Sequence, residues 1–154
     1  MAIEIFFETP APAAVKRAAP LFKRAARSAL GARLSKRAVC LIFTGDSGIK
    51  KLNKKFLGRN RVTDVIAFSY PAPPGFNAPP VFGDIYVCLA QADRQAKAQG
   101  HSILTELLIL STHGALHLAG MDDATPALRR RMNLKTAAIL KNLSNSANSH
   151  GIAA

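Results

Sequence analysis

The chain has 154 residues, 49% hydrophobic and 19% charged, which predicts one folded domain burying about two-thirds of its unfolded surface and excludes a disordered chain. Two cysteines, Cys40 and Cys88, are too few for a disulfide scaffold, and no run approaches the ~20 apolar residues of a membrane span, so the expected setting is the reducing cytoplasm, with no membrane partner. Lys and Arg number 21 against 9 Asp and Glu, a formal charge of +12; that draws polyanions such as RNA or DNA, while the absence of Trp and the two Tyr argue against a base-stacking platform.

In chain order, IEIFFE (residues 3–8) is a β-rich run closed by Thr9-Pro10-Ala11-Pro12, and its Glu4 and Glu8 are unlike a basic, apolar secretory leader. From Ala13 to Ala32 an Ala-rich basic pattern places Val15, Ala19, Phe22, Ala26 and Leu30 on one helical face, with Pro20 predicting a kink or a late start. AVCLIFT (38–44) reads as a buried strand. Asp46 or Ser47 then caps a helix to about Phe56, with Ile49, Leu52 and Phe56 inward. Fourteen of the 21 bases lie between Lys16 and Arg61, a span with one acid, Asp46.

VIAFS (65–69) and DIYV (84–87) are short strands expected to pair antiparallel, and the five prolines and two glycines of residues 70–83 predict a mobile loop, linker or lid, between them. Helices follow over about 89–99, ended by Gly100; over 103–118, capped by Ser102 and stopped by Gly120; and from Pro126 to about Leu143. The order predicts an α+β domain over residues 1–143, a small mixed four-stranded sheet packed with about five helices. The polar residues 144–154 are expected to form a flexible tail. Cys40 and Cys88 read as small buried side chains.

The helix ILTELLILSTHGALHL is apolar nearly all round, so it belongs inside the protein. His113 and His117, at i and i+4, project from one face, and the turn at Gly120 brings Asp123 back toward them. Two imidazoles and a carboxylate at this spacing suit Zn2+ with one position open, where bound water has a pKa near 7. The metal site is thus expected at the end of the buried central helix. Asp122 is a capping alternative to Asp123, and His101 or Asp122 is the candidate fourth ligand of a closed, structural site. Gly114 stands where a zinc peptidase carries its glutamate base, which opposes a peptidase. Glu106 lies two turns before His113 and is read either as a general base or outer acceptor, or as a favourable acid in a helix's first turn.

At HGALHLAGMDD (113–123) the sequence resembles the YbeY family of endoribonucleases, whose pattern runs H-G-x-L-H-L-x-G-Y-D-H. LNKKFLGRNRVTDVIAF (52–68) is similar to the family's L-N-x-x-Y-R-G-K-D-x-P-T-D-V-L-S-F, and FGDIYV (82–87) to its G-D-I stretch. The resemblance implies a single-strand-specific, zinc-dependent endoribonuclease of 16S rRNA 3′ end processing, ribosome maturation and quality control. Its implied partners are ribosomal RNA, the small ribosomal subunit and its assembly factors. His113, His117 and Asp123 would hold one Zn2+ per chain, or another divalent transition metal, with His113, His117 and Glu106 catalytic. Asp123 replaces the usual third histidine, a harder donor that shifts metal preference. Met121 replaces a tyrosine, Val62 a proline, and Leu57 an arginine whose place Arg59 or Arg61 takes. Lys50, Lys51, Lys54, Lys55, Arg59 and Arg61 are the expected phosphate contacts. Thr63, Asp64 and Asp84 are read as turn and cap residues, and Arg129, Arg130 and Arg131 as a solvated helix face. The alternative is a ribosome-assembly RNA-binding protein with a structural metal and little catalysis. The sequence sets no oligomeric state.

Overall fold

The computed structural model describes residues 3–34, 37–71, 74–75 and 82–149. Strands β1 (Ile3–Phe7), β2 (Val39–Thr44), β3 (Val65–Ser69) and β4 (Gly83–Cys88) form one mixed sheet in the order β1-β2-β4-β3. β1, β2 and β4 run parallel, while β3 pairs antiparallel with β4, Val65 opposite Val87 and Ser69 opposite Gly83. This is the α+β architecture that the order of elements predicts, and β3 is an open edge.

Among the described residues six helices pack with the sheet: α1 (Ala13–Arg17), α2 (Ala19–Leu34), α3 (Asp46–Leu57), α4 (Leu89–Gln99), α5 (Ile103–Leu118) and α6 (Pro126–Ser149). α5 is central, packed against α2, α4, α6, β3 and β4. Its all-round apolar sequence follows from that placement, because nearly every side of it needs an apolar neighbour. The main core joins one sheet face (Val39, Leu41, Phe43, Ile85, Val87) to α2 and α5. On the opposite face a smaller cluster of Ile49, Ile66 and Cys88 seats α3. Gly114 explains how closely α5 approaches the sheet: a Cβ there would lie 2.4 Å from Ile85 Cγ2. A glutamate at that position would point into β4, which gives the absence of a peptidase base a steric reason.

Several boundaries differ from expectation. The single helix expected over 13–32 is broken at Ala18, and Pro20 sits in the first turn of α2, where its missing N–H costs nothing. Gly45, not Asp46 or Ser47, is the N-cap of α3, and no side chain caps that end; Asp46 instead binds Arg94. Phe56, expected inward, is 54% exposed at the end of α3, against Phe68 of the edge strand β3. α6 continues past Leu143 to Ser149. Leu143 still anchors that helix in the core, and each following Ser or Asn costs only a fraction of a kcal/mol. Of the proline-rich loop, residues 72–73 and 76–81 lie outside the described ones, as do residues 150–154 of the expected tail. Cys88 is buried and donates to Asp46 Oδ1 at 3.3 Å, whereas Cys40 is only partly buried. Among the described residues no helix is long and apolar enough to cross a membrane.

Candidate active site and nucleic-acid interface

Ser102 opens α5 by accepting the Thr105 amide at 3.1 Å, and Gly120 closes it. At φ 99° Gly120 adopts a backbone that L side chains avoid. Its N–H bonds His117 O and the Met121 N–H bonds Leu116 O, both at 3.0 Å, which turns the chain back over the helix end. Asp122 then folds the turn by accepting the amides of Asp123 (2.7 Å) and Ala124 (3.1 Å) through Oδ1. That hydrogen bonding gives Asp122 the capping role that the sequence offered it. Asp123 is delivered to His117, Oδ2 to Nε2 at 3.6 Å, with both side chains partly exposed.

Among the described residues no three His, Cys, Asp or Glu side chains are already gathered as a metal site. The donors present nevertheless suit one. A separation of 3.6 Å is too long for a hydrogen bond and close to the ~3.4 Å edge between two ligands of a tetrahedral zinc with bonds of ~2.1 Å. His113, one turn earlier on the same face, is the candidate third donor. Burial pushes its imidazole below the ordinary histidine value, against the opposing charges of Asp64, Asp123 and Glu106, so at neutral pH its lone pair is available to a metal.

Two clefts lie along α5, one reaching His113 and the other His117. One, of roughly 450 Å³, is lined by Asp64, Gln95, Gln99, Glu106, His113 and Asn133 among others. The other, of roughly 440 Å³, crosses the β3 edge between Leu57, Arg59, Arg61 and Thr63 on one side and His117 on the other, with Phe68 along it. Gly58, at φ 69°, makes the turn that ends α3 and sends the chain back toward this groove. Buried Asn53 fixes the returning segment: its Nδ2 donates to Arg61 O at 2.9 Å, and its own carbonyl accepts the Arg59 amide at 3.2 Å.

Of the six expected phosphate contacts, then, the fold brings Arg59 and Arg61 to His117. Lys50, Lys51, Lys54 and Lys55 are exposed on α3 and line neither cleft. Leu57, standing where the resemblance expects arginine, lines the same groove as Arg59 and Arg61. Glu106 is buried, with Oε1 accepting from Gln95 at 3.0 Å and Oε2 lying 2.5 Å from His101 Nε2. His101 is therefore held at the opposite end of α5, committed to Glu106. Asp84 accepts the Tyr70 hydroxyl at 2.6 Å, a structural contact that raises the phenol's pKa. Arg129, Arg130 and Arg131 are exposed on α6. Asp64, read from sequence as a cap, does accept the Val65 amide at 2.8 Å. Its carboxylate also lines the cleft of His113, a second role whose only sequence trace was its Thr-Asp position before a strand.

The family model described as "Endoribonuclease YbeY" matches residues 10–144. The chain is 43% identical over 141 residues to the endoribonuclease YbeY of Elusimicrobium minutum, covering 91% of this chain and 98% of that protein. To that of Desulforamulus reducens it is 38% identical over 109 residues, covering 68% and 71%. The solution structure of TM1509 from Thermotoga maritima superposes with a TM-score of 0.60 at 23% identity, over 94% of this chain and 93% of that one, a likeness of fold. The chain belongs to the endoribonuclease YbeY family.

Proposed function

We propose that this member of the endoribonuclease YbeY family is a zinc-dependent endoribonuclease specific for single strands, working in the cytoplasm on 16S rRNA 3′ ends in ribosome maturation and quality control. Its partners are then ribosomal RNA, the small subunit and its assembly factors. The observation that carries this reading is the His117–Asp123 pair, 3.6 Å apart, at the head of a groove flanked by Arg59 and Arg61.

His113, His117 and Asp123 would hold the ion, and the carboxylate also admits a harder divalent metal. A divalent ion bound there would supply Lewis acidity toward a phosphoryl oxygen and activate the attacking oxygen near neutral pH. The protein's own part is positioning. Arg59 and Arg61 hold phosphates beside the scissile bond, the task that an arginine at 57 would otherwise share. Asp122 and Gly120 keep Asp123 facing His117. Glu106, with both oxygens engaged, holds Gln95 and His101 at the far end of the cleft. Asp64, which lines the cleft of His113 and whose charge opposes the lowering of its pKa, is the carboxylate we assign to that imidazole.

Metal content is the test, on protein purified without chelator or nickel resin, with His113→Ala alongside. About one transition metal per chain, lost in the variant together with RNA cleavage, is the expected result. Cleavage surviving the substitution would falsify the metal-hydrolase reading. A wild type that stays metal-free in added zinc would do the same, and a metal whose loss only collapses thermal stability would favour the assembly-protein alternative. Product ends sort the nucleophile: a 5′-phosphate indicates water, a cyclic phosphate the 2′-hydroxyl.

A further inference from the structure

We infer that Phe56, seated on Phe68 at the open edge of β3, is a nucleobase-stacking subsite for the RNA strand that the groove delivers to His117. The inference rests on the endoribonuclease reading and adds what grips the bases. Composition argues against stacking, but composition is silent on placement. Phe56, Phe68 and Tyr86 form one connected group, with ring centroids 4.9 Å apart for the first pair and 6.2 Å for the second.

Within that group Phe56 is the member left in water, 54% exposed, beside Leu57 at 52%. Phe68 packs against its ring at an interplanar angle of 57°, and Lys55 Nζ stands over the ring, 5.2 Å from the centroid, on a long flexible side chain that an incoming base would displace. An oriented aromatic face next to a cation is the combination on which single-stranded nucleic acids are held without regard to sequence, since every base offers a π-face. Phe68 joins this platform to the groove, which it lines together with Arg59, Arg61, Thr63 and His117. The strand's phosphates would lie on the arginines and one of its bases on Phe56. Arg59 and Arg61 form no ion pair with an acid among the described residues, so the groove complements a polyanion. A polypeptide strand added to the β3 edge would use the backbone amides and leave that charge unanswered.

The test reads binding, by fluorescence anisotropy of a labelled single-stranded oligoribonucleotide, in a His113→Ala background that stops turnover. Phe56→Leu keeps apolar bulk and removes the π-face; the expected loss of affinity is about 5- to 150-fold. Phe56→Trp should bind at least as tightly as the parent. An oligoribonucleotide with one abasic position should reproduce the loss at a single place in the strand, and there Phe56→Leu should add nothing further. Parental affinity in Phe56→Leu, or an equal further loss at every abasic position, overturns the subsite. The abasic scan on the parental groove decides the matter even if Phe56→Leu fails to fold. Arg59→Ala with Arg61→Ala separates the two readings. If that pair weakens binding while Phe56→Leu does not, only stacking fails. If neither weakens it, the groove does not hold RNA and the proposed function fails with it, leaving the β3 edge to a protein strand.

Discussion

Each end of α5 is flanked by a histidine–carboxylate pair, and the two pairs are built differently. At the N-terminal end Glu106 is buried, lies 2.5 Å from His101 and accepts a second bond from Gln95. Gln95 in turn accepts from Gln91, which accepts from Arg94, which binds Asp46 on α3. Every group has a partner, and the chain of bonds ties α3, α4 and α5 together. At the C-terminal end His117 and Asp123 stand 3.6 Å apart, partly exposed, facing an open groove. An imidazole and a carboxylate thus serve opposite ends differently. A satisfied buried pair holds helices in place, and an unsatisfied, accessible pair has coordination left for a ligand.

The sharpest way to break that contrast is to remove one acid or base from each end. His117→Ala should reduce RNA cleavage by at least about 100-fold, the upper range for losing even an outer-shell metal partner, with the metal-free melting temperature close to wild type. Glu106→Ala should leave metal content at wild-type level and cost about 2 kcal/mol of stability in denaturant unfolding, because Gln95 and His101 lose a buried acceptor. The reverse pattern would dissolve the distinction. Glu106→Gln that cuts cleavage more than tenfold at unchanged stability would make Glu106 the catalytic base after all.

A smaller effect sharpens the comparison from the middle of the helix. Gly114→Ala places a methyl 2.4 Å from Ile85 Cγ2, so α5 must lift from β4 or Ile85 must turn. A loss of about 1–2 kcal/mol is expected, measured by thermal or denaturant unfolding. An unchanged melting temperature would show that the helix has slack.

The smallest effect lies at the far end of the polar chain. The Arg94 hydrogen bond holds the Asp46 carboxyl below its ordinary value. Its contribution is therefore present at neutral pH and lost as pH falls through that lowered value. Both side chains are about half exposed, so solvent screens the pair. Asp46→Asn should lower the melting temperature slightly at pH 7, and the gap from wild type should close on acidification; a gap that widens in acid would contradict the assignment.

The elements and the histidine pair are local properties, and they could be read from the chain. A short apolar run marks VIAFS as a strand, the apolar run of 103–118 marks a central helix, and the i,i+4 spacing of His113 and His117 follows from helical pitch alone. Six bases between Lys50 and Arg61 look equivalent in sequence. Only the Gly58 turn, the Asn53 anchor and the edge position of β3 select Arg59 and Arg61 to face His117 and leave the lysines on α3 in water. The role of Glu106 depended on Gln95, which arrives from a different helix, and that of Asp64 on a cleft shared with α5. Phe56 left the inner face it was expected to occupy and packs on Phe68 of the edge strand, a contact between segments that the periodicity of α3 does not show. Periodicity within ten or so residues decides what a segment becomes. Which side chains share a cleft is decided by contacts between segments far apart in the chain, where no local pattern carries the information.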